Sequence, residues 1–100
     1  MLDAAQGNIT MIPRRKRWYE MVRELETFHI NNCRADRDWS IRKTAKELDC
    51  SSTTVWNQLY LARGLRVYPD IIKFKLASQA EKYIFQKDGR KRVSWTLPKD

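Results

Sequence analysis

The sequence predicts an all-α protein: a helix-turn-helix domain of about four to five short helices, followed by an extended basic C-terminal tail or a short strand. Three observations indicate this fold class. Apolar residues recur at helical spacing between residues 18 and 28. Serine residues stand at N-cap positions before two further helical patterns, at residues 40 and 78. Gly64, Pro69 and Gly89 fall where helices are expected to end or begin.

Size and charge limit the function. The 100 residues make one small domain, and 20 Lys and Arg against 12 Asp and Glu give a net charge of +8. So large an excess of positive charge predicts a polyanionic partner, either nucleic acid or an anionic membrane surface. No apolar run approaches the ~18 residues of a membrane span, and no secretory signal is visible. We therefore expect a cytoplasmic protein with no membrane partner.

The first part of the chain is expected to contain an arm and one helix. Residues 1–12 are weakly patterned and are expected to form a flexible arm, and the domain itself is expected over residues 13–89. Its first helix is predicted to begin near Pro13, which suits a first helical turn because it lacks an N–H donor, and to end at Asn31-Asn32. The predicted core-facing stripe consists of Trp18, Met21, Val22, Leu25 and Phe28.

The segment 40–63 has the pattern of a helix-turn-helix. Ser40 is a suitable N-cap for a first short helix, and Asp49 stands where a left-handed turn residue, commonly glycine, is needed. A second helix is predicted to begin near residue 51 and to end at Arg63, with Gly64 as its left-handed C-terminal cap. Buried contacts within the unit are expected from Ile41, Ala45, Leu48, Cys50, Val55 and Leu59.

The last part of the chain is predicted to be helical and then extended. A short helical segment starts at Pro69-Asp70. The capping box Ser78-Gln79-Ala80-Glu81 introduces another helix, and Lys87-Asp88-Gly89 ends it. Residues 90–100 form the basic tail, in which Val93, Trp95 and Leu97 alternate, a pattern that fits a short strand or an extended chain equally well.

The outward face of the second helix of the motif carries no carboxylate. Its members, at helical spacing, are Ser52, Thr53, Trp56, Asn57, Tyr60 and Arg63. These side chains offer hydrogen-bonding and aromatic groups, and none of them repels phosphate. In DNA-binding helix-turn-helix proteins the second helix enters the major groove, so the sequence indicates double-stranded DNA as the partner.

The stretch WSIRKTAKELDCSSTTVWNQLYLARGL, residues 39–65, resembles the helix-turn-helix of plasmid and chromosome partition proteins of the ParB/KorB type. Small phage terminase subunits and phage repressors share the general pattern. Asp49 and Gly64-Leu65-Arg66 depart from the family pattern, and the nucleotide-binding Arg-rich box of full-length partition proteins is absent. The resemblance therefore implies the DNA-binding module alone. It rests on Ala45, Leu48, the Ser51 to Val55 spacing, Asn57 and the continuation from Leu59 to Leu65.

The resemblance implies sequence-specific binding of double-stranded DNA by a phage or plasmid regulator, partition or packaging accessory factor. A homodimer on a two-fold site is the usual arrangement of such modules, although no heptad repeat is visible. Arg90-Lys91-Arg92 could bind phosphate on another side. The base contacts implied are Ser52, Thr53, Trp56 and Asn57. The phosphate contacts implied are Arg14, Arg15, Lys16, Arg17, Arg42, Lys43, Arg63 and Arg66.

Other interpretations remain open. The Arg14–Arg17 run also fits a solvated helix start, and Trp56 also fits a buried helix–helix contact. The main alternative function is a protein-interaction module, in which a tri-helical scaffold presents a patch of Trp and Tyr. Binding of RNA through aromatic residues has less support, because these residues are not arrayed on a strand.

We expect neither an enzyme nor a cofactor or small-molecule substrate, because the single His29 gives little basis for a catalytic set. We also expect no metal, because Cys33, Cys50 and His29 make only three of the four ligands of a usual zinc site. The two cysteines are interpreted as reduced thiols.

Overall fold

The computed structural model describes residues 16–99 and is all-α in that range. It contains helices α1 (Trp18–Ala35), α2 (Ile41–Glu47), α3 (Ser52–Val67) and α4 (Ala77–Lys87), with a 3-10 helix over Pro69–Lys73 between the last two. No strand occurs between residues 16 and 99. The predicted all-α fold class with about four helices is therefore confirmed. The predicted arm over 1–12, the helix start near Pro13, and Arg14 and Arg15 lie outside the described residues.

Helix α1 is longer at its C-terminal end than predicted. Asn32 does not end it, because the Asn32 side chain donates to the Phe28 carbonyl within the helix at 2.8 Å; the helix continues to Ala35. Its buried face is also rotated from the predicted stripe. Met21 is 53% exposed, whereas the buried residues are Val22, Glu26 and His29, at spacings of four and three residues.

The caps and the turn predicted for α2 and α3 are present in the structure. Ser40 caps α2 by accepting a hydrogen bond from the Lys43 N–H. Asp49 takes a left-handed φ of +54°, and the Cys50 N–H donates to the Ala45 carbonyl at 2.9 Å, which closes the turn. Ala45 is buried where the two helices meet. The turn therefore delivers the chain directly to the N-terminus of α3, which Ser51 caps.

Gly64 does not cap α3, and that prediction is wrong. Helix α3 continues through Gly64 to Val67. Gly64 is needed for close packing instead, because a Cβ at this position would lie 2.1 Å from Cδ1 and 2.7 Å from Cγ1 of Ile84 on α4. The glycine allows α4 to approach the backbone of α3, an arrangement that helical spacing along α3 alone does not reveal.

The core consists of two clusters along α3. The larger cluster surrounds the C-terminal half of α3 and joins it to α1, the 3-10 helix and α4. The smaller cluster holds α2 against the N-terminal half, and its fully buried members are Ala45, Val55 and Leu59. Leu48 was also expected to be buried here, but it is exposed.

The start of helix α4 differs from the prediction, and its end agrees with it. The predicted capping box of Ser78 and Glu81 is wrong, because the helix begins at Ala77 and Gln79 Oε1 accepts from the Leu76 N–H. It ends at Lys87, as predicted, before Gly89 at φ +78°.

The tail contains neither helix nor strand over residues 90–99. Of the two predicted alternatives, the short strand is therefore excluded for these residues.

Candidate nucleic-acid interface

The first turn of α3 is an exposed polar end. Ser52 and Thr53 are exposed, and Ser51 caps the helix by accepting from the Thr54 N–H at 3.1 Å. Free N–H groups at a helix N-terminus carry partial positive charge, and α3 contains no Asp or Glu. Two of the four predicted base-contacting residues therefore lie on a surface that favours a ligand with hydrogen-bonding groups and negative charge.

The other two predicted base-contacting residues, Trp56 and Asn57, lie one turn further along α3 and are half-buried. The Trp56 ring stacks on that of Tyr60 with centroids 5.7 Å apart and planes 8° apart. The Arg92 guanidinium from the tail lies over both rings, at 5.2 Å from the Trp56 centroid and 5.0 Å from the Tyr60 centroid. Arg92 also donates to Asn57 Oδ1 at 3.1 Å. The tail thus contributes a cation to this face.

The predicted phosphate-binding residues nearest the motif remain at the surface. Arg42 and Lys43 are exposed on the first turn of α2. Lys43 Nζ lies 3.8 Å from the Asp36 carboxylate, an exposed pair that is weak in water. Lys16 forms a similar exposed pair with Glu24 at 2.7 Å. These side chains can exchange their present partners for phosphate oxygens at little cost.

Arg63 has a structural partner that the sequence did not predict. Its Nη1 pairs with Asp88 Oδ2 at 3.0 Å, and the Asp88 side chain is only 4% exposed. Asp88 also accepts from the Tyr68 hydroxyl at 2.6 Å and from the Tyr60 hydroxyl at 3.4 Å. Burial disfavours the charged carboxylate, but the hydrogen bonds from Tyr68 and Arg63 keep the pKa of Asp88 below its usual value. Arg63 thereby fastens α3 to the end of α4.

Arg66 also has an unpredicted partner, the buried carboxylate of Glu26 on α1. The same carboxylate oxygen accepts the indole N–H of Trp95 at 2.6 Å. The Arg66 side chain is 42% exposed, so it keeps a surface available to an anion. Glu26 therefore ties α3 and the tail to α1. The helical spacing of Val22, Glu26 and His29 is the one sequence signal that could have indicated this burial.

His29 is buried in a hydrogen-bond network beneath the motif. Its Nδ1 lies 2.6 Å from Thr44 Oγ1, which accepts the Trp39 indole N–H at 2.6 Å. A hydroxyl has two acceptor lone pairs and one donor, so the tautomer of His29 sets the direction of its hydrogen bond with Thr44. Burial lowers the pKa of His29, although the Glu26 charge opposes this shift. The network holds α2 to α1.

The two cysteines lie in different elements, Cys33 on α1 and Cys50 in the turn between α2 and α3. Cys33 and Cys50 are free thiols and half-buried. Cys33 Sγ lies 3.5 Å from His29 Nε2, and burial raises the pKa of the Cys33 thiol. Within residues 16–99 no group of three or more His, Cys, Asp or Glu side chains is placed to hold a metal ion.

Comparisons with known proteins give no relatives for this chain. No protein-family model, curated protein or solved structure matches it. Among the described residues, no helix has both the length and the apolar character needed to cross a membrane.

Proposed function

We propose that this protein binds double-stranded DNA sequence-specifically by placing the N-terminal half of α3 in the major groove. The observation that carries the proposal is the pairing of α2 and α3 through a left-handed Asp49 turn, with Ser52 and Thr53 exposed on a helix free of carboxylates. A major groove about 12 Å wide admits one α-helix, and the net charge of +8 supports a polyanionic partner.

Each exposed group has a role in this proposal. Ser52 and Thr53 hydrogen-bond to base edges, and the Thr53 methyl can contact a thymine methyl. Asn57 pairs with the N6 and N7 edge of adenine. Arg42 and Lys43 on α2, together with Arg66, bind the flanking phosphates and set the position of α3 on the duplex.

The finer proposal is a phage or plasmid regulator, partition or packaging accessory factor. It is supported by the resemblance of residues 39–65 to the ParB/KorB-type module. A homodimer on a palindromic site follows from the usual symmetry of such modules. A palindromic sequence recovered from a random duplex pool would support both the assembly and the class.

Selection from a random duplex pool, followed by binding titrations, tests the proposal. The wild-type chain should enrich a defined sequence, and its affinity should fall steeply with salt because each neutralised phosphate releases counterions. Asn57→Ala should remove the preference at one base pair while weak general binding persists. Gln86→Ala, an exposed amide on α4, is the matched control and should bind like wild type. An equal loss by Asn57→Ala on selected and random duplexes would count against the proposal.

A second candidate function, protein interaction, is favoured by a different surface. Met21, Leu25, Phe28 and Leu48 line an apolar groove of about 580 Å³ on the outside of α1 and α2. Exposed apolar surface of this kind often marks a protein contact. Elution from DNA-cellulose at low salt, with no sequence enriched, would favour this function over DNA binding.

A further inference from the structure

Arg92 is held in a fixed place on the motif surface by four contacts. Its guanidinium lies over the Trp56 and Tyr60 rings and donates to Asn57 Oδ1. Its Nη2 also donates to Glu81 Oε2 on α4 at 2.8 Å. Three residues later, Trp95 anchors the tail through its bond to Glu26. A long cationic side chain that is fixed in this way has already lost most of its rotamer freedom.

Arg92 nevertheless keeps donors available for a ligand. A guanidinium has five N–H donors in a planar fork, and the bonds to Asn57 and Glu81 use two of them. The Arg92 side chain is 40% exposed. Its position beside Asn57 places an accessible donor fork next to the side chain that is proposed to contact adenine.

The bond from Arg92 also orients Asn57. Because a guanidinium only donates, the Asn57 atom that faces it must be the amide oxygen. The second lone pair of this oxygen and the amide NH₂ are left for a base edge. This is the acceptor and donor pair that adenine N6 and N7 require.

We propose that Arg92 is a base-contacting residue that recognises a guanine next to the base pair contacted by Asn57, with Glu81 as its positioning residue. The inference rests on the proposed function and adds a contact from outside the helix-turn-helix. Arginine in a planar fork matches O6 and N7 of guanine, and Glu81 fixes the plane of that fork. The tail therefore takes part in sequence recognition rather than in phosphate binding alone.

The test compares Arg92→Ala, Arg92→Gln and a matched control, Lys91→Ala, which removes an exposed cation from the same tail. Each variant is checked by circular dichroism and put through the duplex selection. Wild type should require guanine at one position, and both Arg92 variants should lose that requirement, a change of roughly five- to 150-fold in relative affinity. Lys91→Ala should keep the full consensus and only lower the salt slope by about one.

A base analogue separates base contact from fold. In the selected duplex, 7-deazaguanine at that position removes the N7 acceptor. It should weaken wild type, although less than Arg92→Ala does because the bond to O6 remains, and it should not weaken Arg92→Ala further. Glu81→Gln should reduce the guanine preference partly.

Two results would overturn the inference in distinguishable ways. If wild type selects a sequence and the Arg92 variants select the same one, Arg92 is not a base contact, while the proposed function stands. If wild type selects no sequence at all, the proposed function fails and the inference fails with it.

Discussion

The two halves of α3 are stabilised in different ways. The C-terminal half lies inside the larger cluster and packs on α1, the 3-10 helix and α4. The N-terminal half contributes Val55 and Leu59 to the smaller cluster, whose third buried member is Ala45 on α2. The half-buried residues that pack against this cluster are Leu25, Ile41, Cys50 and, from the tail, Trp95. The end of α3 that is proposed to bind DNA is thus the end with the smaller core. Trp95, which packs on this smaller cluster, lies about thirty positions beyond the motif in the chain.

The two halves also differ in their buried polar groups. The motif half of the protein consists of α2, the N-terminal half of α3 and the residues packed on them. It contains the neutral imidazole of His29, which is bonded to Thr44. The opposite half consists of the C-terminal half of α3, the 3-10 helix and α4. It contains the Asp88 carboxylate, which accepts hydrogen bonds from Tyr60, Tyr68 and Arg63. A buried neutral base and a buried anion respond to acid in different pH ranges. Acid should therefore destabilise the two halves in different pH ranges.

Removal of Trp95 should give the largest effect. Trp95→Ala removes the ring that packs on the smaller cluster and on His29, 5.1 Å away between centroids, and leaves Glu26 with one donor fewer. We expect a loss of about 3 kcal/mol in the free energy of unfolding, measured by urea denaturation. Hydrogen exchange should show that amides of α2 lose more protection than those of α4.

The matched control for Trp95 is Leu97→Ala, two residues further along the same tail. Leu97 is exposed, so its truncation should change stability by no more than about 0.5 kcal/mol. Equal losses of protection in α2 and α4 for Trp95→Ala would show that the halves unfold as one unit.

Gly64→Ala tests the packing of the other half. Alanine favours a helix by about 1 kcal/mol over glycine, but the added Cβ would meet Ile84 at 2.1 Å, and overpacking of a core costs about 1–3 kcal/mol. We expect a net loss of up to about 2 kcal/mol in the free energy of unfolding, read from the midpoint of denaturation. In an Ile84→Val background, which lacks the nearest atom, the same change should cost less. The same cost in both backgrounds would contradict the steric explanation.

Local signals in the sequence were sufficient for much of the motif. The cap at Ser40, the start of a helix near residue 51, the left-handed Asp49 and the small Ala45 all depend on residues within one or two turns, and the structure contains all of them. The end of α4 before Gly89 is a local signal of the same kind. Propensity and periodicity carry this information because the interactions they describe are short in sequence.

Contacts between distant residues could not be predicted in this way. The Glu26 carboxylate binds Arg66 and Trp95, which lie 40 and 69 residues away, and no periodic pattern links them. For the same reason Arg92 was expected only as part of a basic run, although it lies on Trp56 and Asn57. Gly64 suited a helix end by local rules, but packing against Ile84 placed it inside the helix.

Acid should weaken the motif half first. Burial lowers the pKa of His29 from its ordinary 6.5. At pH values between the lowered pKa of the folded chain and the ordinary pKa of the unfolded chain, the unfolded chain therefore binds a proton that the folded chain does not. The contribution of His29 is complete above pH 6.5 and decreases as the pH falls below it. Asp88 contributes above its ordinary 3.8 and loses that contribution as the pH falls through its lowered pKa in the folded state.

The pH series needs one variant for each half. His29→Gln should remove the decrease in stability that begins near pH 6.5 and keep the one at lower pH. Asp88→Asn should do the reverse. The measurement is the denaturation midpoint from pH 8 to 3, roughly the range in which most proteins change stability through carboxylates and histidine. A wild-type midpoint that is constant between pH 7 and 5 would contradict a buried neutral His29.

The smallest effect is expected at the turns that end α2 and α4. The turn after α2 uses one left-handed residue, Asp49 at φ +54°, and the turn after α4 uses two, Gly89 at φ +78° and Arg90 at φ +62°. Only glycine adopts that conformation without a steric penalty. Asp49→Gly should therefore raise the free energy of unfolding by about 0.5 kcal/mol, and Gly89→Ala should lower it by about 1 kcal/mol. No atom lies within 4 Å of a Cβ at Gly89, so its loss would report backbone strain alone. If Asp49→Gly is instead destabilising, the Asp49 side chain stabilises the turn between α2 and α3, and the motif half depends on a contact that the opposite half does not need.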